Sequence, residues 1–361
     1  MCLLTNPSFK NWQRLRADVA KFEFRNSNFE IKAMRLAVID LGTNTVRLLV
    51  GEPDGAGGYR PVFAAQQITR LGQDLLPTQM LQPEPIRRTL AVLQQFRQAA
   101  ELHAAGRPAV IGTSALREAM NREAFVTRAR LDAGLEVWVI SGEEEARLTL
   151  LGIRAALQTG PGRLMTMDIG GGSTEFVVAE GPDIRGMVST GLGVVKLTET
   201  HLKSDPPLLR ELAAVREVVA VRMRRLRTLE WPDVLRGIPT PGAIFAGTAG
   251  TVTSLAAIDL ALDPYDPLKV NGHRLSRQRI EALCRELAAQ PLGERRQVRG
   301  LEPARADVIV AGALICLGAM DGLDCPELTV SDGGLREGIL LDLLSRPEVR
   351  ILHGRLADHD R

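Results

Sequence analysis

Arg35 to Glu52 reads RLAVIDLGTNTVRLLVGE, and Arg163 to Glu180 reads RLMTMDIGGGSTEFVVAE. The two are versions of one pattern. Each starts as an apolar strand, reaches an aspartate, turns through Gly, Thr, Ser or Asn, and leaves as a second apolar strand, which is how a β-hairpin with a polar tip is written. The tips are Asp40-Leu41-Gly42-Thr43-Asn44-Thr45 and Asp168-Ile169-Gly170-Gly171-Gly172-Ser173-Thr174. Glycine adds no Cβ and reaches positive φ, so such a tip can gather backbone N–H groups and hydroxyls around one anion. A carboxylate beside a phosphate repels it unless a cation lies between them, so Asp40 and Asp168 point to a divalent metal, Mg²⁺ or Mn²⁺. A single Asp-x-Gly reads first as only a tight turn. Two related tips with matching flanks imply a duplicated lobe and a phosphate chain gripped between two hairpins.

Paired hairpins of this kind resemble the phosphate loops of the actin-like ATPase and sugar kinase superfamily. Five ordered motifs narrow the resemblance: GTSALREAMN (Gly112 to Asn121), ISGEEEAR (Ile140 to Arg147), DIGGGSTE (Asp168 to Glu175), GTAGT (Gly247 to Thr251) and SDGGLREG (Ser331 to Gly338). Together they resemble the exopolyphosphatase and guanosine pentaphosphate phosphohydrolase family, over roughly Met34 to the C-terminus. The resemblance implies an α/β fold of two actin-like (ribonuclease H-like) lobes with a cleft between them. Longer relatives add a C-terminal helical domain with an HD metal motif; His359-Asp360 is too isolated to serve as one, so the short two-domain form is expected.

At 361 residues the chain is about twice a usual domain. The expected division is lobe I over 34–157, lobe II over 158–334 after the Gly/Pro cluster Gln158 to Gly162, and a C-terminal helix and tail, 335–361, returning to lobe I. Residues 1–33 are a polar, basic lead-in without the apolar core of a signal peptide, and Met34 directly before the first strand reads as the natural start. The alternative is a short arm docking through Trp12, Phe22 and Phe24. Apolar residues make up 45% of the chain and aromatic ones only 4%, so the cores must be built from Leu, Val, Ala and Ile. The 45 basic and 43 acidic residues leave a net charge of +2, which excludes a global field for nucleic acid. Cys2, Cys284, Cys316 and Cys325 form no CxxC pair and read as reduced thiols of a cytoplasmic protein. The five histidines form no close ligand pair, which argues against zinc. The longest apolar run, Val308 to Met320, is too short for a membrane span and reads as core.

Further along, the pattern predicts a strand over Arg60–Thr69, a helix over Pro83–Ala105, a strand over Ala109–Thr113 and a helix capped by Ser114. Arg117 then lies in that helix's first turn. It is either a structural partner of Glu118 or Glu123, or a phosphate ligand facing the crevice where strands give way to helices; the resemblance implies the second. Glu143, Glu144 and Glu145 open the next helix, where acidic groups complement the helix dipole. The resemblance singles out Glu145, immediately before Ala-Arg, as the catalytic base. Glu175, at the loop edge, is an outward strand charge or a ligand to a metal-bound water. A helix over Pro206–Leu229 carries Arg222, Arg224, Arg225 and Arg227, which read first as a solvated face. Gly247 and Thr248 join a strand to a helix starting at Val252 and make a third anion site. A strand at Leu328–Val330 and a closing helix over Leu335–Leu344 end the pattern.

The expected activity is removal of terminal phosphate from inorganic polyphosphate. Glu145 activates water, Asp168, Asp40 and Glu175 serve the metal, and Thr43, Asn44, Thr45, Arg117, Gly170, Gly171, Gly172, Ser173, Thr174, Gly247 and Thr248 bind phosphate. Guanosine pentaphosphate is the alternative substrate. A kinase would need a phosphoryl acceptor, and a non-catalytic module would bind without turnover. The resemblance also implies a homodimer.

Overall fold

The computed structural model describes residues 35–160, 162–235 and 242–345. The lead-in with Met34 and the tail with His359-Asp360 lie outside the described residues. The chain divides into two compact units, one of residues up to Gly152 and from Leu335 on, the other of Ile153–Gly334. The division lies at Gly152 rather than at Leu157, because packing sets it and the local turn signals of the Gly/Pro cluster do not.

In the first unit, β1 (Leu36–Leu41), β2 (Thr45–Pro53) and β3 (Tyr59–Ile68) form an antiparallel meander, and β4 (Ala109–Gly112) and β5 (Val137–Val139) extend the sheet in parallel beyond β1. The order is β3-β2-β1-β4-β5. The helices are α1 (Pro83–Leu102), α2 (Ser114–Glu118), α3 (Arg122–Ala133), α4 (Gly142–Leu157) and the closing α10 (Leu335–Leu344). Side chains alternate across a strand, and β1 uses both faces. Ala37, Ile39 and Leu41 enter the core built with Leu93 and Phe96 of α1 and Phe125 of α3. Leu36 and Val38 enter a second core with Leu148 of α4 and Ile339, Leu340 and Leu343 of α10. Asp40 continues that second set, so the strand's own period aims it at the α4 and α10 side.

The second unit repeats the plan. β6 (Arg163–Ile169), β7 (Thr174–Glu180) and β8 (Asp183–Thr190) form the meander, β9 (Ile244–Thr248) and β11 (Glu327–Val330) continue in parallel, and β10 (Arg274–Ser276) adds an antiparallel edge. The order is β10-β11-β9-β6-β7-β8. Read outward from each hairpin, β3-β2-β1-β4-β5 and β8-β7-β6-β9-β11 have the same order and the same strand senses. Helices α5 (Val194–His201), α6 (Leu209–Arg225), α7 (Ala249–Asp259), α8 (Arg277–Ala288) and α9 (Ile309–Leu323) complete the unit. A helix apolar on all sides belongs in a core, and α9 is buried along almost its whole length.

Three elements differ from the sequence pattern. Helix α2 already includes Ser114, with Thr113 and not Ser114 at its N-cap. The long arginine-bearing helix is shorter than 206–229, running over Leu209–Arg225 and closing in a π-helical turn, Leu226–Glu230. Helix α7 starts at Ala249, ahead of Val252, directly off β9. No helix among the described residues is long and apolar enough to cross a membrane.

Candidate active site

The first hairpin tip is closed by the Gly42 N–H on the Thr45 carbonyl at 3.1 Å. A second turn supports it from outside: Thr69 and Arg70 N–H both donate to the Asn44 carbonyl, and Gly72 N–H to the Thr43 carbonyl. Thr43, Asn44 and Thr45 are all buried. Asn44 Oδ1 and Thr45 Oγ1 are buried without a hydrogen-bond partner in the protein. Native structures rarely leave such atoms unmet, and an exception calls for a ligand, ion or water. Asp40 is 5% exposed, and Arg47, its direct cross-strand neighbour, donates to Asp40 Oδ2 at 3.2 Å. Burial pushes the Asp40 carboxyl above its ordinary range, more than Arg47 pulls it down. Arg336 and Glu337, in the first turn of α10, also act on Asp40 electrostatically.

Glu145 lies in the first turn of α4, 7% exposed. The Ser141 hydroxyl accepts the Glu144 N–H and the Ser141 carbonyl accepts the Glu145 N–H, so the helix start is fixed locally. Arg117 Nη1 donates to Glu145 Oε2 at 2.5 Å and to the Ile140 carbonyl at 3.2 Å. Ser114 donates to Glu118, and Arg117 reaches Glu145 from α2. Burial pushes the Glu145 carboxyl up, Arg117 pulls it down, and the Asp40 charge pushes it up again, with a net rise. A buried carboxyl with its pKa raised and an arginine to orient it has the properties of a general base. Glu144 stays in the first turn, where it can complement the dipole, and has a further role. It is buried and accepts two hydrogen bonds from Arg147, which also reaches Asp342 on α10.

The second hairpin is closed in the same way, Gly170 N–H to Ser173 carbonyl at 2.9 Å. Its support is the start of α5: Val194 and Val195 N–H donate to the Gly170 and Gly171 carbonyls. Gly193 packs against this loop so closely that a Cβ there would lie 2.3 Å from the Gly172 backbone. Gly171, Gly172 and Ser173 form the tip. Thr174 is fully buried and its hydroxyl donates to the Leu192 carbonyl at 2.5 Å, so it shapes the loop and does not act as the expected phosphate donor. Asp168 and Glu175 are direct cross-strand neighbours, and Ser189 stands opposite Glu175 on β8 and donates to it at 2.6 Å. Side chains directly opposite in an antiparallel pair share a face, and like charges there repel. Two carboxylates in that arrangement suit a shared cation.

Thr248 stands beside Asp168 in the β6/β9 register, but its hydroxyl donates to the Gly333 carbonyl at 2.9 Å, so here too the expected donor is a structural bond. Gly247 lends its carbonyl to Ser331 N–H. Arg305, 8% exposed and paired with Glu302, lies with its guanidinium against Gly250 in the first turn of α7.

Among the described residues no group of three or more His, Cys, Asp or Glu side chains could hold a metal alone. Mg²⁺ does not require one, since it takes one or two carboxylates and completes its shell with water and substrate phosphate. The oxygen donors fit it in the second unit, through Asp168 and Glu175. In the first unit the expected ligand Asp40 already has Arg47 as its partner. On α6, Arg222 and Arg225 pair with Glu230 and Arg224 pairs with Glu217. Cys284, Cys316 and Cys325 are free and buried, with thiols pushed up to about 11 for Cys284 and about 12 for the other two, mainly by burial.

Sequence reasoning gave no role to Arg47 or Arg336, and read Arg305 only as a structural or cleft-edge residue. Setting the two quoted stretches one above the other would have found the first, because Arg47 occupies the place of Glu175.

Residues 52–347 match the model of the Ppx/GppA phosphatase family. The chain is 34% identical over 325 residues to "Exopolyphosphatase 2" of Mycobacterium tuberculosis, covering 86% of this chain and 98% of that one. A crystal structure of the Aquifex aeolicus family member is 34% identical, with a TM-score of 0.70 and coverage of 86% and 97%. An exopolyphosphatase from Cytophaga hutchinsonii is 26% identical, with a TM-score of 0.75 and coverage of 86% and 98%. The paired sheets are thus an actin-like fold, and the duplicated hairpins with a buried glutamate beside the first place the chain in the Ppx/GppA phosphatase family.

Proposed function

We propose that this protein is an exopolyphosphatase that releases terminal orthophosphate from inorganic polyphosphate by attack of water activated at Glu145. The observation that carries this is the buried Glu145 carboxyl, oriented by Arg117 and raised in pKa beside Asp40. In-line attack on phosphorus needs a base that orients the water and takes its proton, together with positive charge on the phosphate oxygens. Glu145 Oε1 is the acceptor left for that proton, since Oε2 accepts from Arg117. As phosphate charge approaches, the Arg117 guanidinium can stabilise it as well as Glu145, because a planar fork has donors for both.

The hairpin tips supply neutral donors. In the first, the buried Thr45 hydroxyl can donate to an anion, while the buried Asn44 Oδ1 can accept from a water or another donor beside it. In the second, the loop's carbonyls are engaged by α5, which leaves the amides of Gly171 and Gly172 as the donor side. Asp168 and Glu175 would hold Mg²⁺ or Mn²⁺, which when bound neutralises charge on the phosphoanhydride.

The similar proteins from Mycobacterium tuberculosis and Cytophaga hutchinsonii are exopolyphosphatases, which favours polyphosphate over guanosine pentaphosphate. The test is phosphate release from long polyphosphate and from guanosine pentaphosphate at equal concentrations of cleavable ends, with Mg²⁺ and no added acceptor. Polyphosphate is expected to be the better substrate, and Glu145→Gln to lower turnover by about 10²- to 10⁴-fold with folding intact. Turnover of that variant within a few-fold of wild type would reject the base, and preference for the nucleotide would reject the substrate. Dependence on an acceptor would make the protein a kinase.

A further inference from the structure

The catalytic helix is held from behind as well as from its active face. Arg147 lies on α4, and its Nε and Nη2 donate to the two oxygens of Glu144 at 2.9 and 2.7 Å. The same Nη2 donates to Asp342 Oδ1 on α10 at 3.0 Å. Both carboxylates are buried, Glu144 at 8% and Asp342 at 5% exposure. Burial alone would draw the Arg147 pKa down, but its two carboxylate partners more than reverse that, so the guanidinium stays charged. One turn further along the same contact, Gly338 of α10 lies so close to α4 that a Cβ there would stand 1.8 Å from the Leu148 carbonyl. The first turn of α10 carries Arg336 and Glu337, which act on Asp40, and Leu340 of α10 packs against Gly51 of β2. One short helix thus touches the strand pair that bears Asp40 and the helix that bears Glu145.

We propose that Arg147 and Asp342 form a positioning clamp that fixes the first turn of α4, and with it the Glu145 carboxyl, against α10. The proposal rests on the reading of Glu145 as the base and adds residues that touch neither water nor phosphate. Its chemical logic is geometric. A salt bridge exposed to water would contribute little, but a half-buried arginine fork, 35% exposed and shared by two buried carboxylates, has few alternative arrangements, so it restricts rotation and sliding of α4. A base displaced by about 1 Å loses on the order of 10²-fold in rate while substrate binding is untouched.

The experiment measures kcat and KM for long polyphosphate, and thermal midpoints, in the full chain. Asp342→Asn keeps the shape and removes the charge; it is expected to lower kcat by about 10-fold or more with KM within about twofold. Arg147→Lys keeps the charge without the fork and is expected to recover part of the kcat lost in Arg147→Met. Val92→Ala, in the other core of the same unit, is the stability control and is expected to lower the midpoint while leaving kcat near wild type. A folded Asp342→Asn protein with kcat within about threefold of wild type would overturn the clamp, as would a rise in KM matching the fall in kcat, or an equal kcat loss in Val92→Ala at the same midpoint. If Asp342→Asn does not accumulate as folded protein, the Arg147→Lys and Arg147→Met pair gives the same reading. Glu145→Gln separates the two levels: an active Glu145→Gln enzyme removes the base assignment, whereas an inactive one beside a fully active Asp342→Asn enzyme removes only the clamp.

Discussion

The two hairpins share a backbone and differ in charge. Asp40 corresponds to Asp168, Gly42 to Gly170, Thr45 to Ser173, and both turns close with the same glycine-to-carbonyl bond. Even the irregularities correspond, since the register shifts between Val50 and Gly51 in one sheet and between Val178 and Ala179 in the other. At one position the copies diverge in sign. Opposite Asp40 stands Arg47, and opposite Asp168 stands Glu175. A carboxylate paired with arginine is already neutralised; two facing carboxylates repel each other and suit a bound cation. The duplication supplied two equal frames; the first carries an Asp–Arg ion pair, and the proposed metal falls to the second.

Exchanging that charge gives the largest expected effect. Glu175→Arg writes the first hairpin's pair into the second and should lower Mg²⁺-supported phosphate release by about 10²- to 10³-fold, measured at saturating polyphosphate. Next is Arg47→Met, which leaves Asp40 buried without its partner. It should destabilise the protein by about 3 kcal/mol in urea unfolding near neutral pH, and the loss should shrink on acidification as Asp40 takes up a proton. A pH-independent loss would mean that Arg47 acts through packing alone.

The loop supports differ as well. Gly193→Ala sets a Cβ against the Gly172 backbone, whereas Gly72→Ala meets the Thr43 side chain at 2.3 Å. A side chain can turn away and a backbone cannot, so Gly193→Ala should cost about 1–3 kcal/mol and Gly72→Ala less. The reverse order of thermal midpoints would contradict the close packing of the second loop.

The smallest expected effect is on stability with pH. The Glu145 carboxyl is raised from an ordinary value of 4.5 and that of Asp40 from 3.8. A raised carboxyl contributes stability that is fully present below its unfolded value and lost as pH rises through the folded one. Glu145→Gln should therefore melt a few degrees above wild type at neutral to alkaline pH, with the gap closing as pH falls toward the ordinary glutamate range. Activity runs the other way, since the base must be ionised. A gap that widens on acidification would contradict the burial of Glu145.

Much of this was legible in the sequence because it is local. The hairpin tips are spelled by Gly, Thr and Ser between apolar strands, and α10 occupies Leu335–Leu344 as its pattern indicates. What escaped depends on partners far along the chain. Glu144 has a sufficient local explanation in the helix dipole, yet its arginine also answers to Asp342, 195 residues away. The hydroxyls of Thr174 and Thr248 look like phosphate donors in a Gly-rich loop, and only the fold brings the Leu192 and Gly333 carbonyls to them. Arg47 was hidden by its neighbours, since a lone arginine in VRLLV reads as an ordinary outward strand residue.

The most direct measurement is the Mg²⁺ concentration for half-maximal phosphate release from long polyphosphate in Asp168→Asn and Asp40→Asn, compared with wild type. Division of labour between the hairpins predicts a shift of about 10- to 100-fold for Asp168→Asn and a much smaller one for Asp40→Asn. Equal shifts, or a larger one for Asp40→Asn, would contradict it.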